Sequence, residues 1–375
     1  MSESIKTKCG HTDFRHRLLA GTSAFALVSF TCASDIARAD DDTDRSTIWI
    51  ELGAQLEQAN GFGNPFAPHF MPEVIADGFT SPLRLQHHLS QSFGEEGAIS
   101  FQPENSDWVL SASVRYGRAT GSTKTHQQTP VSPKQLYLGT YKLPTLFTPN
   151  LARYSEVRAA NDETHAILDF QAGRDIGLGL LGHSAKSTIN FGVRFAQFTS
   201  AQTLGMNADP DYSLPAKLTY SRFHHVYTVG SHIQRSFRGF GPSLSWNASA
   251  PVIGNTEQGM FALDWGVNAA VLFGRQKAIG HHQTVGTYFK KNLISKYQFT
   301  SHIHRSGNPD RSRVITVPNI GGFAGLSYVF PNAKLSIGYR ADLFFGAMDG
   351  GIDAAKKENV GFYGPFASIS VGLGG

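Results

Sequence analysis

The chain has 375 residues, of which 41% are apolar and 17% charged, with 39 glycines and 27 phenylalanines. A net charge of +4 argues against a nucleic-acid partner, and so little charge beside so much glycine and aromatic residue argues against an ordinary soluble domain. A mean hydropathy of -0.21 is what a sheet with an apolar outside and a polar inside averages to.

Residues 1–39 read as an export signal. Lys6, Lys8, Arg15 and Arg17 make a basic start, an apolar run extends from 18 to 30, and Ala37-Arg38-Ala39 is a cleavage site ahead of DDDTD. That run is too short to anchor the chain across a bilayer. The expected organisation is a cleaved signal over 1–39 and one β-barrel domain over 40–375. Five of the 33 Lys/Arg and three of the 29 Asp/Glu fall in the signal, which leaves 28 against 26. Cys9 and Cys32 fall there too, so the rest has no cysteine for disulfides, thiolate catalysis or metal sites. Beyond residue 39 no apolar stretch approaches the ~18 residues of a spanning helix.

Past the signal, apolar and polar residues alternate with a period of two. TIWIELGAQL opens the series and carries Glu51. DWVLSASVRYG sets Trp108, Leu110, Ala112, Val114 and Tyr116 against Ser111, Ser113, Arg115 and Gly117. ILDFQAGRD carries Asp169, and STINFGVRFAQF sets Ile189, Phe191, Val193 and Phe195 against Asn190, Gly192, Arg194 and Ala196. GFGPSLSWNASA opposes Phe240, Leu244, Trp246 and Ala248 to Gly241, Ser243, Ser245 and Asn247. GMFALDWGVNAAVLFG opposes seven large or apolar residues from Phe261 to Phe273 to Ala262, Asp264, Gly266, Asn268 and Ala270. AKLSIGYRADLFFGA sets Leu335, Ile337, Tyr339, Ala341, Leu343 and Phe345 against Lys334, Ser336, Gly338, Arg340 and Asp342, and GFYGPFASISVGLG closes the series. Period two means strands with one apolar face. Their length suits a tilted crossing of a bilayer, whereas globular strands are nearer five or six residues.

The fold class expected is all-β: an antiparallel transmembrane β-barrel of about 12 strands, with 10–14 open, short periplasmic turns and long extracellular loops. The segments are 47–57, 93–103, 107–119, 163–174, 186–199, 219–236, 239–250, 259–274, 280–292, 318–330, 333–346 and 361–373. The longer links 58–92, 120–162, 200–218, 293–317 and 347–360 then face outward, together with the shorter 251–258. The links 104–106, 175–185, 237–238, 275–279 and 331–332 face the periplasm. Trp49, Trp108, Tyr116, Tyr328, Tyr339 and Tyr363 lie near strand ends, where aromatic girdles belong.

The strand motifs IWIELG, ISFQPENSDWVLSASVRYGR, LDFQAGRDIGLG, VRFAQFTS, GPSLSWNASAP, DWGVNAAVLFGRQKA, VPNIGGFAGLSY, GYRADLFFGAMDGGID and GFYGPFASISVGLGG resemble a proteobacterial family of outer-membrane β-barrels. More loosely they are similar to the Legionella-type major outer-membrane, porin-like proteins. The resemblance implies a barrel and a pore, with no catalytic residues to transfer. The chain departs from many barrels by ending in Gly374-Gly375 instead of an aromatic residue.

Charges at membrane depth must face a lumen or pair with one another. Glu51, Arg115, Asp169, Arg194, Asp264, Arg340 and Asp342, with Asn268, are therefore the candidates for lining or constricting a lumen. They would form either a salt-bridged plug or a mixed-charge filter for small polar solutes. Other motifs point to less. Gly177, Gly179 and Gly182 spell a dinucleotide fingerprint, but a strand pattern comes next instead of the required helix. The pairs His87-His88, His224-His225 and His281-His282 would point to opposite faces of a strand. His302 and His304 share a face and are the weak metal candidates. Ser231 and His232 are adjacent and cannot face one substrate together, so no enzyme is expected. Asp349 to Asp353 lacks the ligand series of a calcium loop. The expectation is a porin-like protein of the Gram-negative outer membrane that passes small hydrophilic solutes and uses no cofactor. A closed structural or adhesive barrel, or less favourably a lipid-modifying barrel enzyme, is the alternative. The partners expected are outer-membrane lipid and lipopolysaccharide, the barrel-insertion machinery and small polar solutes.

Overall fold

The computed structural model describes residues 47–61, 91–130, 137–138, 141–142, 152–176, 186–209, 223–255, 259–290, 298–305, 310–351 and 354–373. The chain divides into units 1–41 and 42–375, and all described residues belong to the second. They form β1 (Thr47–Asn60), β2 (Gln91–Gln102), β3 (Trp108–Pro130), β4 (Tyr137–Leu138), β5 (Tyr141–Lys142), β6 (Ala152–Asp175) and β7 (Lys186–Asp209). Then come β8 (Phe223–Asn255), β9 (Gly259–Lys290), β10 (Gln298–Arg305), β11 (Asp310–Val329), β12 (Ala333–Asp349) and β13 (Lys357–Leu373).

Ten of these close an antiparallel ring in the order β1-β2-β3-β6-β7-β8-β9-β11-β12-β13, and β13 returns to β1. β10 runs along the far end of β9 in line with β11: Arg305 pairs with Gln283 and Asp310 with Ile279. The little β4–β5 ladder is separate. Where all ten strands pair, around the apolar band, closure leaves no sheet edge among the described residues, the condition for a sheet to sit in lipid.

The ring has ten strands where the sequence pattern predicts about twelve. The described residues of segments 219–236 and 239–250 belong to one strand, β8, of 33 residues. The described residues of segments 259–274 and 280–292 belong to one strand, β9, of 32 residues. The expected turns at 237–238 and 275–279 are therefore mid-strand, and the described part of the expected outer link, 251–255, continues β8 to the short-turn end, not the long-loop end. The Pro331-Asn332 turn is present, with Phe330 N–H donating to Ala333 O at 2.7 Å.

The two lost turns have one physical cause. Near the turn end the outward residues are apolar: Phe240, Leu244, Phe261, Val267, Phe273, Ile337 and Ile369 are all exposed. Farther along β8 and β9 the outward residues become Arg238, Ser236, Arg275 and Lys277. The inward ones include Phe237, Ile233 and Ala278, all buried, with the buried Arg235 and Gln276 between them. The apolar residues thus change faces within an unbroken strand. A strand of 33 residues is about 110 Å long at ~3.3 Å per residue, while about ten residues suffice for a crossing. The wall runs on well past its apolar band, and beyond the band the inside is the only place to bury apolar surface.

The aromatic girdle needs one correction. Trp108, Tyr116 and Tyr339 are exposed on the outer face. Trp49 has the parity of the buried Gln55 and Glu57 and packs over Gly372, so it lies inside.

Candidate functional site

Inward side chains meet across the ring at three successive levels. Nearest the turn end is a belt of charges at the height of the outer apolar band. Arg194 on β7 grips Asp169 on β6 with two bonds, Nε–Oδ1 at 2.7 Å and Nη2–Oδ2 at 2.9 Å. Its Nη1 donates to Asn268 on β9 at 2.7 Å and also to Asn319 on β11. It stands 3.9 Å from Asp342 on β12. Arg115 on β3 reaches the other oxygen of Asp342 at 2.5 Å. Arg340 pairs with Glu96 of β2, its guanidinium 4.9 Å from the centre of the Phe366 ring. Gln55 donates to the carbonyls of Gly364 at 3.3 Å and Arg340 at 3.4 Å.

Three arginines and three carboxylates balance in this belt. Bidentate geometry and polar neighbours are what make burial of such charge tolerable. Gly321 is part of the arrangement, because a Cβ there would run into the Asp342 carboxylate.

The next level is dry and aromatic. Phe198 of β7, Phe237 of β8 and Phe344 of β12 have no exposed surface, and Phe362 of β13 is 3% exposed. The ring centroid of Phe198 lies 4.7 Å from that of Phe344, 5.5 Å from Phe362 and 5.8 Å from Phe237. β7 and β13 stand opposite each other in the ring, so these contacts span the lumen. Leu272, Val317, Met348 and Val360 fill the rest without exposed surface. A bulge between Phe344 and Met348 contributes, with Gly346 at a φ of 66°. It lets Phe344, Ala347 and Met348 all join the core. At the edge of this level His165 of β6 stacks on Phe362 at 3.9 Å and meets Glu57 of β1 at 3.0 Å. Ser92 donates to the same Glu57 oxygen at 3.1 Å.

Toward the loop end lies a second polar level. Arg235 of β8, fully buried in its side chain, pairs with Glu358 of β13 at 2.9 Å and donates to Gln202 at 2.6 Å. Burial pushes the Glu358 carboxyl above its usual range despite the pull of Arg235. Burial also disfavours ionised Asp349. The N–H groups of Lys356 and Gly351 and the Arg311 guanidinium outweigh it and hold that carboxyl below its usual range.

On the turn-end side of the belt the inner face is polar and partly open. Glu51, Ser100, Ser111, Ser113, Lys334 and Ser336 are half-buried there. Asp264 binds Lys334 at 2.6 Å and accepts from Ser249 at 2.6 Å.

All eight candidates named from the sequence lie on the inner face. Arg115, Asp169, Arg194, Asn268, Arg340 and Asp342 come together in the belt, while Glu51 and Asp264 sit apart nearer the turn end. Arg340 and Asp342 do not pair with each other; each takes a partner on another strand. Glu96, Gln55 and Asn319 belong to the belt and are not legible in the sequence. Glu95-Glu96 hides the alternation, with Glu95 outward and Glu96 inward. The loop-end level around Arg235 escapes the sequence pattern as well, because no apolar outer row marks it.

His302 and His304 lie on β10, but their side chains are outside the described residues, as are 177–182, His87-His88 and Asp353. Among the described residues no three His, Cys, Asp or Glu side chains are grouped to hold a metal ion. Ser231 and His232 point to opposite faces of β8, and His232 contacts Thr203 and Gln234 at 3.1 Å each.

No protein-family model matches the chain, and no curated protein matches it. The likeness to Legionella-type proteins thus stays a resemblance of strand motifs. Among solved structures the chain is similar to the transport unit of the autotransporter AIDA-I from Escherichia coli. Identity there is 8%, coverage 89% of this chain and 92% of that one, and the TM-score 0.25. It is also similar to a deletion mutant of the monoaromatic hydrocarbon channel TodX, at 7% identity, 88% and 90% coverage and a TM-score of 0.19. The toluene transporter TbuX of Ralstonia pickettii is a third, at 10% identity, 88% and 89% coverage and a TM-score of 0.15. At these TM-scores none of the three carries an inference about this chain.

Proposed function

We propose that this chain is an outer-membrane β-barrel that stands closed at rest and does its work at the loop end. The observation that carries the proposal is the contact of Phe198 with Phe344 and Phe362 across the lumen. Diffusion needs a wetted path, and side chains without exposed surface leave none at that level. The outer apolar band supports a membrane position, and the export signal over 1–39 supports the outer membrane. A wall that outruns its band raises the loop end above the bilayer, which suits a scaffold presenting loops to a surface partner. The closed barrel uses no cofactor and carries out no reaction. Its partners are outer-membrane lipid and the barrel-insertion machinery.

The half-buried polar vestibule favours a second reading, passive diffusion of small hydrophilic solutes. There the belt would be the constriction, and Arg115 would have to part from Asp342 and Phe198 from Phe344. Swelling of liposomes in small sugars and amino acids separates the two. The closed barrel predicts no swelling above protein-free liposomes. Swelling that declines with solute size would replace it with the diffusion reading.

A further inference from the structure

The outer face of β7, β8, β9 and β11 carries three cross-strand rows at the loop-side edge of the apolar band. The lowest is Phe195–Phe240–Phe273, with Phe195 stacked on Phe240 at 5.8 Å. The next is Gln197–Arg238–Arg275–Val314, and above it stand Thr199, Ser236, Lys277 and Ser312. Arg238 and Arg275 are thus directly opposite each other, an arrangement of like charges that is unfavourable unless something lies between them. Gln197 accepts from the Arg238 guanidinium at 3.1 and 2.9 Å and fixes its plane. Arg238, Arg275 and Lys277 are all exposed, and none has an acidic partner among the described residues. Three other outward cations are neutralised: Arg118 by Asp162 at 3.4 Å, and Lys124 and Arg158 by Glu156 at 3.3 and 2.8 Å.

We propose that Arg238, Arg275 and Lys277 bind the phosphate of a phosphorylated glycolipid in the leaflet at the loop end, its acyl chains lying on Phe240 and Phe273. Two guanidiniums and an ammonium supply the donors and charge that a phosphate takes. Their height sets the headgroup at the interface, where basic residues meet anionic lipid, and the exposed phenylalanines accept hydrocarbon. The proposal rests on the membrane reading of the apolar band.

The test uses the full chain in neutral phosphatidylcholine vesicles doped with bis-phosphorylated lipid A, or with the same lipid after phosphatase treatment. Lipid retained on the protein is counted by native mass spectrometry. The expected result is selective retention of the phosphorylated form. It should weaken about tenfold or more in Arg238→Gln/Arg275→Gln/Lys277→Gln, a scale set by losing charge-assisted bonds, and little in Arg118→Gln. These positions are exposed, and heat-modifiable migration on gels checks that the variants fold. Equal retention of both lipids, or no loss in the triple variant, overturns the glycolipid site alone. Displacement of the lipid by millimolar inorganic phosphate would make it a site for free phosphate instead. Failure to enter neutral vesicles at all would overturn the membrane reading and the site with it.

Discussion

Arg115 and Asp342 carry the belt across the ring, and their burial makes each depend on the other. Removing one partner strands a charge where water cannot reach it, at about 3–5 kcal/mol, whereas replacing both with apolar residues of similar volume is often neutral. Arg115→Ala and Asp342→Ala should therefore each lower the unfolding free energy of the folded barrel by about that amount. Arg115→Met/Asp342→Leu should recover most of the loss, read from urea unfolding in lipid vesicles. Asp349 makes a different prediction at the loop end. Its folded-state carboxyl ionises below the usual range, so its contribution is present above the ordinary carboxylate value and is lost as pH falls through the folded one. Hydrogen exchange at Gly351 and Lys356, whose N–H groups it accepts, should rise as pH drops from about 6 to about 3, after correction for intrinsic exchange. Asp349→Asn should abolish that pH dependence.

At the scale of the strand, alternation tells which residues share a face but not which medium the face meets. Within the apolar band the two are equivalent, and the inward set from Glu51 to Asp342 is legible directly. Past the band, Phe237 and Ile233 turn inward while Arg238 and Arg275 turn outward. A phase reversal of that kind looks like a turn, and in the sequence it divides β8 and β9 in two. Which strands meet across the ring is not legible either: Arg115 and Asp342 are 227 residues apart, and no local period links them. Trp49 tests the face assignment. In single-tryptophan variants, lipids brominated in their acyl chains should quench Trp265 strongly and Trp49 hardly at all. Equal quenching would put Trp49 on the outer face after all.

For the whole molecule, ring size and contents agree. An eight-stranded barrel is filled by its own side chains, and ten strands leave little more room. Here that room is taken by the charged belt, the phenylalanine layer and the Arg235 level. Within the outer apolar band the interior is polar, and beyond it a phenylalanine layer is followed by the polar Arg235 level, so the barrel has a core of its own past the band. The closed lumen is the central claim, and single-channel recording in planar lipid bilayers tests it most directly. The purified full chain, inserted and held at moderate voltage in concentrated potassium chloride, should give a silent baseline. Stable ohmic conductance steps at low voltage would mean that the phenylalanine layer does not seal the lumen, and the closed-barrel account would fall.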